Sequence, residues 1–204
     1  MPHVWERGRT LIEWGEIMSN HLDYEINKEL GECYLFMSDY PKAEEYYRKA
    51  ALNEPEAAAP YMGLATVAVQ RGSLDDALVL YRKAASLEPS DKALTGIGLV
   101  LMEQGVHDEA FEQFVKALDM APYNMVALNC LVRESYQLGR VDDVLPYLAA
   151  AAEGSTEKDA VSVTLAGCLI YLGRNAEAKT HLERVLCANP AHSGARELFD
   201  TVAA

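Results

Sequence analysis

Five histidines (His3, His21, His107, His181 and His192) are the side chains best suited by pKa to move protons near neutral pH, and they are scattered along the chain. No HExxH pair sets two imidazoles on one helix face for zinc. Gly96-Ile97-Gly98 lacks both the third glycine and the preceding strand of a dinucleotide loop. Cys33, Cys130, Cys168 and Cys187 show neither CxxC spacing nor the density of a disulfide framework. Serines, lysines and carboxylates occur without a spacing that puts a nucleophile beside a base. The chain reads as one that is not an enzyme and takes no metal or cofactor, so its work is expected to be binding.

Charge narrows the partner. The 204 residues carry a formal net charge of -13, and the phosphates of nucleic acid demand a basic face. Nucleic acid is therefore not expected. An acidic, solvated exterior is the plain reading of this charge, and long-range attraction of a basic partner is the sharper one. No apolar run approaches the roughly 20 residues that a membrane helix needs, so no membrane insertion is expected. Met-Pro-His-Val-Trp-Glu does not open like a signal peptide, which points to a cytoplasmic location.

Any binding surface must be carried by repeating elements. Ala43, Ala77, Ala110, Val144 and Ala178 recur at intervals of 34, 33, 34 and 34 residues. A second phase runs Ala50, Ala84, Ala117, Ala151 and Val185, with the bulky Tyr47, Tyr81, Phe114, Leu148 and Leu182 between the two. Small, large and small residues at spacings of four and three lie on one face of a helix. Upstream in each unit a large apolar residue precedes a mostly small one: Leu30-Gly31, Leu64-Ala65, Ile97-Gly98, Leu131-Val132 and Leu165-Ala166. Small side chains let two helix axes approach closely. Each unit is thus predicted to be a helical hairpin that bends at Gly72, Gly105, Gly139 or Gly173 and closes with Pro55, Pro89, Pro122 or Pro190.

With this pattern the chain resembles the tetratricopeptide repeat family over residues 24–190. The resemblance implies an all-α fold, a right-handed superhelix (α-solenoid) of five hairpins with extra N-terminal and C-terminal helices and a concave groove. It divides the chain into an N-terminal amphipathic helix (1–23), five repeats (24–191) forming one elongated domain, and a C-terminal capping helix (192–204). The fourth repeat departs most, with Val132 and Val144 at small positions and Thr156 in place of the closing proline. Gly154-Ser155-Thr156 is therefore the expected flexible joint. Cys33 and Cys168 stand at equivalent places where the family usually carries alanine, so both are expected to be small buried hydrophobes.

In the family the first helix of each hairpin faces the groove. That register places Lys28, Leu35, Phe36, Met62, Thr66, Val69, Lys92, Leu99, Met102, Asn129, Arg133, Tyr136, Ile170 and Tyr171 in a peptide-binding groove, with Glu32, Thr95, Gln137 and Thr164 beside them. The family's clamp for the carboxylates of heat-shock chaperones uses two lysines, two asparagines and an arginine. Lys28 and Lys92 match the lysines, whereas Glu32 and Gly63 stand at the asparagine positions and Gly96 at the arginine position. What remains is an apolar floor suited to a peptide or helix with hydrophobic anchors, although some of these residues are expected to pack between first helices instead.

The ends look like covers. Leu198, Phe199 and Val202 alternate with charges in a helix from about Ser193 to Val202 that would close the last repeat. At the other end Thr10-Leu11-Ile12-Glu13 has capping-box spacing and opens a helix with Leu11, Trp14, Met18 and Leu22 on one face, preceded by Trp5. Burial of a tryptophan is worth about 3 kcal/mol, so this segment must lie on something. It could cap the first repeat, occupy the groove, or pair with its copy through Trp5, Leu11, Trp14 and Met18. Two function classes follow: an interaction scaffold, adaptor or small chaperone that holds a segment of another protein, and a self-assembling subunit that forms a homo-oligomer through its repeats or terminal helices.

Overall fold

The helices begin and end where the turn chemistry says they should. In the computed structural model, which describes the backbone of residues 11–203 and the side chains of residues 18–203, the helices are α1 (Leu11–Phe36), α2 (Tyr40–Asn53), α3 (Ala58–Gln70), α4 (Leu74–Leu87), α5 (Asp91–Glu103), α6 (His107–Met120), α7 (Met125–Leu138), α8 (Val141–Gly154), α9 (Lys158–Tyr171), α10 (Asn175–Ala188) and α11 (Ser193–Ala203). No strand occurs among the described residues. The fold class is the all-α repeat of helical hairpins expected from the sequence.

Gly72, Gly105, Gly139 and Gly173 bend their hairpins at φ of 75°, 78°, 68° and 74°. In the first hairpin the same job falls to Ser38, whose φ of 59° is the one positive value at a non-glycine among the described residues. The closing prolines stand two residues past the ends of α2, α4, α6 and α10, where a missing N–H breaks nothing. Asp39, Ser90 and Asn124 cap α2, α5 and α7 by accepting the N–H of the third residue on.

Two compact units divide the chain, residues 1–89 and 90–204. Unit one holds two hairpins, α1/α2 and α3/α4. Its core gathers Ala43, Tyr47, Leu64 and Val67, with Tyr34, Leu35, Tyr40 and Leu80 packed against it. The Tyr47 ring lies between two glycines: a Cβ on Gly31 would come within 2.7 Å of it, and one on Gly63 closer still. Only residues without a side chain allow α1 and α3 to close on that ring.

Unit two holds α5/α6, α7/α8, α9/α10 and α11. Phe111, Phe114, Leu118, Leu128, Leu131, Leu148 and Leu182 are its largest fully buried apolar side chains, and Gly98 makes room for Phe114 as Gly31 does for Tyr47. The small-large-small set of every second helix, from Ala43, Tyr47 and Ala50 to Ala178, Leu182 and Val185, is buried as its spacing predicts. At the far end α11 packs on α9 and α10, burying Ala195 and bringing Phe199 under the Lys179 ammonium.

Several expectations need correction. The boundary placed at residue 23 falls inside α1, which runs unbroken because residues 11–36 contain no proline. Asn20 and His21 of this continuation bond Asn53 and Glu54 at the end of α2, while Met18 and Leu22 are 70% and 60% exposed. Trp5 and the side chains of Leu11 and Trp14 lie outside the described residues. At the expected joint Gly154-Ser155-Thr156 the Tyr123 hydroxyl lies so close over Gly154 that no Cβ would fit, although Gly154 and Thr156 are exposed. Cys33 is exposed whereas Cys168 is fully buried.

Candidate functional site

The first helix of each hairpin carries the projected groove residues, and the two units are taken in turn. On α1, Lys28 is not a free cation. Its ammonium bonds the Glu25 carboxylate at 2.5 Å and lies 5.7 Å from the centre of the Tyr24 ring. That hydrogen bond raises the lysine pKa against the opposing pull of burial. Leu35 is half-buried in the unit-one core rather than open to a ligand. Phe36, at the helix end, is 93% exposed. On α3, Met62 and Val69 are half-buried, and the Thr66 hydroxyl is occupied by the Met62 carbonyl at 3.0 Å and the Tyr81 hydroxyl at 3.2 Å.

Unit two brings its projected residues together. The Tyr136 and Tyr171 rings meet edge to face, 4.9 Å apart at 82°, the arrangement that aromatic quadrupoles favour. Tyr136 donates to the Cys168 sulfur at 3.5 Å, and burial is the first cause of its raised pKa. Both rings still present surface, at 38% and 61%. The Arg133 guanidinium lies against the Met102 sulfur. Leu99 and Ile170 are half-buried, while Lys92 and Asn129 are exposed. The result is a patch of two tyrosines, a methionine and an accessible arginine on α5, α7 and α9. Thr95 does not belong to it: the side chain is buried and accepts from the Asn124 amide, which also donates to Asp91. Thr164 is bonded to the Ala160 carbonyl, and Gln137 is exposed.

One polar pair was missed. Glu134 is 2% exposed and bonds the Nδ1 of His107 at 2.7 Å across α6 and α7. Its signal was present in the sequence, because Glu134 occupies the register of Cys33, Val67 and Cys168, a carboxylate where other repeats put a small or apolar side chain. Such a buried carboxylate needs its partner, and the pair ties one hairpin to the next.

Two clefts lie away from these faces. One of about 280 Å³, between α2, α3 and α4, has Glu44 already ion-paired with Arg48 and Arg71. The other, about 260 Å³ between α8, α9 and α10, contains Lys158, Asp159, His181 and Arg184. Burial and the neighbouring Arg184 push the His181 pKa down. Ser162 lines this second cleft together with His181, and Ser73 lines the first together with Asp76. No cluster of His, Cys, Asp or Glu among the described residues could hold a metal, and no described helix is long and apolar enough to cross a membrane.

Sequence models of the tetratricopeptide repeat match residues 28–92, 92–124 and 135–200. Among characterised proteins, the chain is similar to the BBSome complex member BBS4 of Bos taurus, 32% identical over 111 residues that make up 53% of this chain and 21% of that one. It is also similar to the TPR repeat-containing protein YpiA of Bacillus subtilis (strain 168), 23% identical over 168 residues, 81% of this chain and 40% of the other. The chain thus spans well under half the length of these relatives. Among solved structures, YrrB, described as a TPR protein with an unusual peptide-binding site, superposes with a TM-score of 0.63 at 18% identity, covering 84% of this chain and 89% of the other. That likeness shows the fold alone. Repeat spacing, buried small-large-small faces and matches along most of its length make this chain a member of the tetratricopeptide repeat family.

Proposed function

We propose that this protein is an interaction scaffold, adaptor or small cytoplasmic chaperone whose first-helix faces hold a segment of another protein. The observation that carries the reading is the Tyr136–Tyr171 pair, an aromatic edge-to-face contact that leaves both rings accessible beside Met102 and Arg133. Tyrosine and arginine concentrate binding energy at protein interfaces. Methionine adapts to irregular apolar side chains. The preferred ligand is an extended or helical peptide with an aromatic or aliphatic anchor for the tyrosines and a hydrogen-bond acceptor for Arg133. Membership in a family of protein-binding scaffolds supports this reading, as does similarity to a subunit of a protein complex. Lys28 bonded to Glu25, and glycines at positions 63 and 96, argue against a carboxylate clamp.

A peptide library displayed on phage and selected on the full chain tests it. The enriched peptides should share an apolar anchor and should lose binding to a Tyr136→Ala/Tyr171→Ala variant that keeps its helicity. Equal enrichment on parent and variant would remove the patch from the proposal.

A further inference from the structure

The face of α1 turned away from α2 is apolar and bare. Met18, Leu22, Ile26, Glu29, Cys33 and Met37 follow one another at intervals of 4, 4, 3, 4 and 4 residues, so they form one stripe. Met37 belongs to it because its N–H still bonds the Cys33 carbonyl at 3.0 Å. Met18, Leu22, Ile26 and Met37 are 70%, 60%, 48% and 67% exposed, Phe36 at the edge of the stripe is 93% exposed, and Cys33 is open. The same register is covered in later hairpins. Val67 stands in the place of Cys33 and is 2% exposed, and Cys168 in that place is fully buried beneath Tyr136. For Ile26 the counterparts Ala127 and Val161 are 0% and 2% exposed. Among the described residues this is a packing face without its neighbour, and it also explains why Cys33 departs from the expected burial.

We propose that this face is covered by α1 of a second copy, antiparallel across a two-fold axis. The spacing of the stripe reads the same in both directions. A two-fold between residues 27 and 28 sets Met18 against Met37 of the second copy, Leu22 against Cys33, and Ile26 against the aliphatic stem of Glu29. The stripe is about 28 Å long. Its four large apolar side chains, with Phe36 at the edge, offer roughly 600 Å² per copy, of the order of the roughly 800 Å² that each partner gives to a standard interface.

Solution mass of the full chain, measured by light scattering across the micromolar range, tests the inference. The parent should rise to twice its 22.5 kDa. A Leu22→Glu/Ile26→Glu variant should return to the single-chain mass with its circular dichroism unchanged, because both side chains are exposed. A short thiol-reactive linker applied to a Leu22→Cys variant should join position 22 of one copy to Cys33 of the other, as identified by mass spectrometry of the linked peptide. A parent that stays at single-chain mass would overturn the inference and assign the face to another partner. A dimer indifferent to the double glutamate variant, or cross-linked from position 22 to position 22, would also overturn it. None of these readouts depends on peptide binding at Tyr136 and Tyr171.

Discussion

At the scale of single residues, the structure turns on where a side chain is absent. Gly31 and Gly63 hold the Tyr47 ring between them, so Gly63→Ala should destabilise the protein by about 1–3 kcal/mol through overpacking, read from the urea midpoint. Burial pushes the Tyr47 hydroxyl up to about 12, above the ordinary tyrosine value near 10. A raised folded-state pKa stabilises fully below the unfolded value and loses that contribution as pH rises through the folded one. Between about pH 10 and pH 12 the parent should therefore lose more stability than Tyr47→Phe does, as followed by chemical denaturation at each pH. Ser38 makes the opposite case. It holds a left-handed conformation that four other hairpins assign to glycine, so Ser38→Gly should raise stability by about 1 kcal/mol, whereas Gly105→Ala should lower it by a similar amount. An unchanged midpoint in both would mean that these turns store no strain.

At the scale of elements, the hairpins were legible because spacing dictates them. The small-large-small faces, the four turn glycines and the closing prolines each encode a local geometry, and each falls where the sequence places it. What was not legible depends on neighbours. The burial of Cys168 and the exposure of Cys33 follow from whether another hairpin precedes them in space, which identical register cannot reveal. The continuation of α1 through residue 23 was hidden by a change of pattern without any helix breaker. Lys28 and Leu35 illustrate the same limit within the candidate site, since Glu25 and the unit-one core claim them first. In α8, Pro146 lies inside the helix, where it withholds an N–H from the Asp142 carbonyl. Pro146→Ala should restore that bond and raise stability by about 1–3 kcal/mol, and a lowered urea midpoint would show that the helix is shaped around the ring.

At the scale of the whole molecule, charge and repeat architecture divide the labour. A net charge of -13 keeps the exterior solvated, while the accessible Tyr136 and Tyr171 rings and the Met102 sulfur beside Arg133 sit on first helices. Peptide affinity should then vary little between low and moderate salt, because the patch relies on apolar contact more than on ion pairs. The most direct measurement is calorimetric titration of an enriched peptide into the full chain and into its Tyr136→Ala/Tyr171→Ala variant. The parent should bind with a negative heat-capacity change, and the folded variant should lose at least about tenfold in affinity, or about 1.4 kcal/mol. Equal affinity in a variant of unchanged helicity would contradict the placing of the ligand on this face.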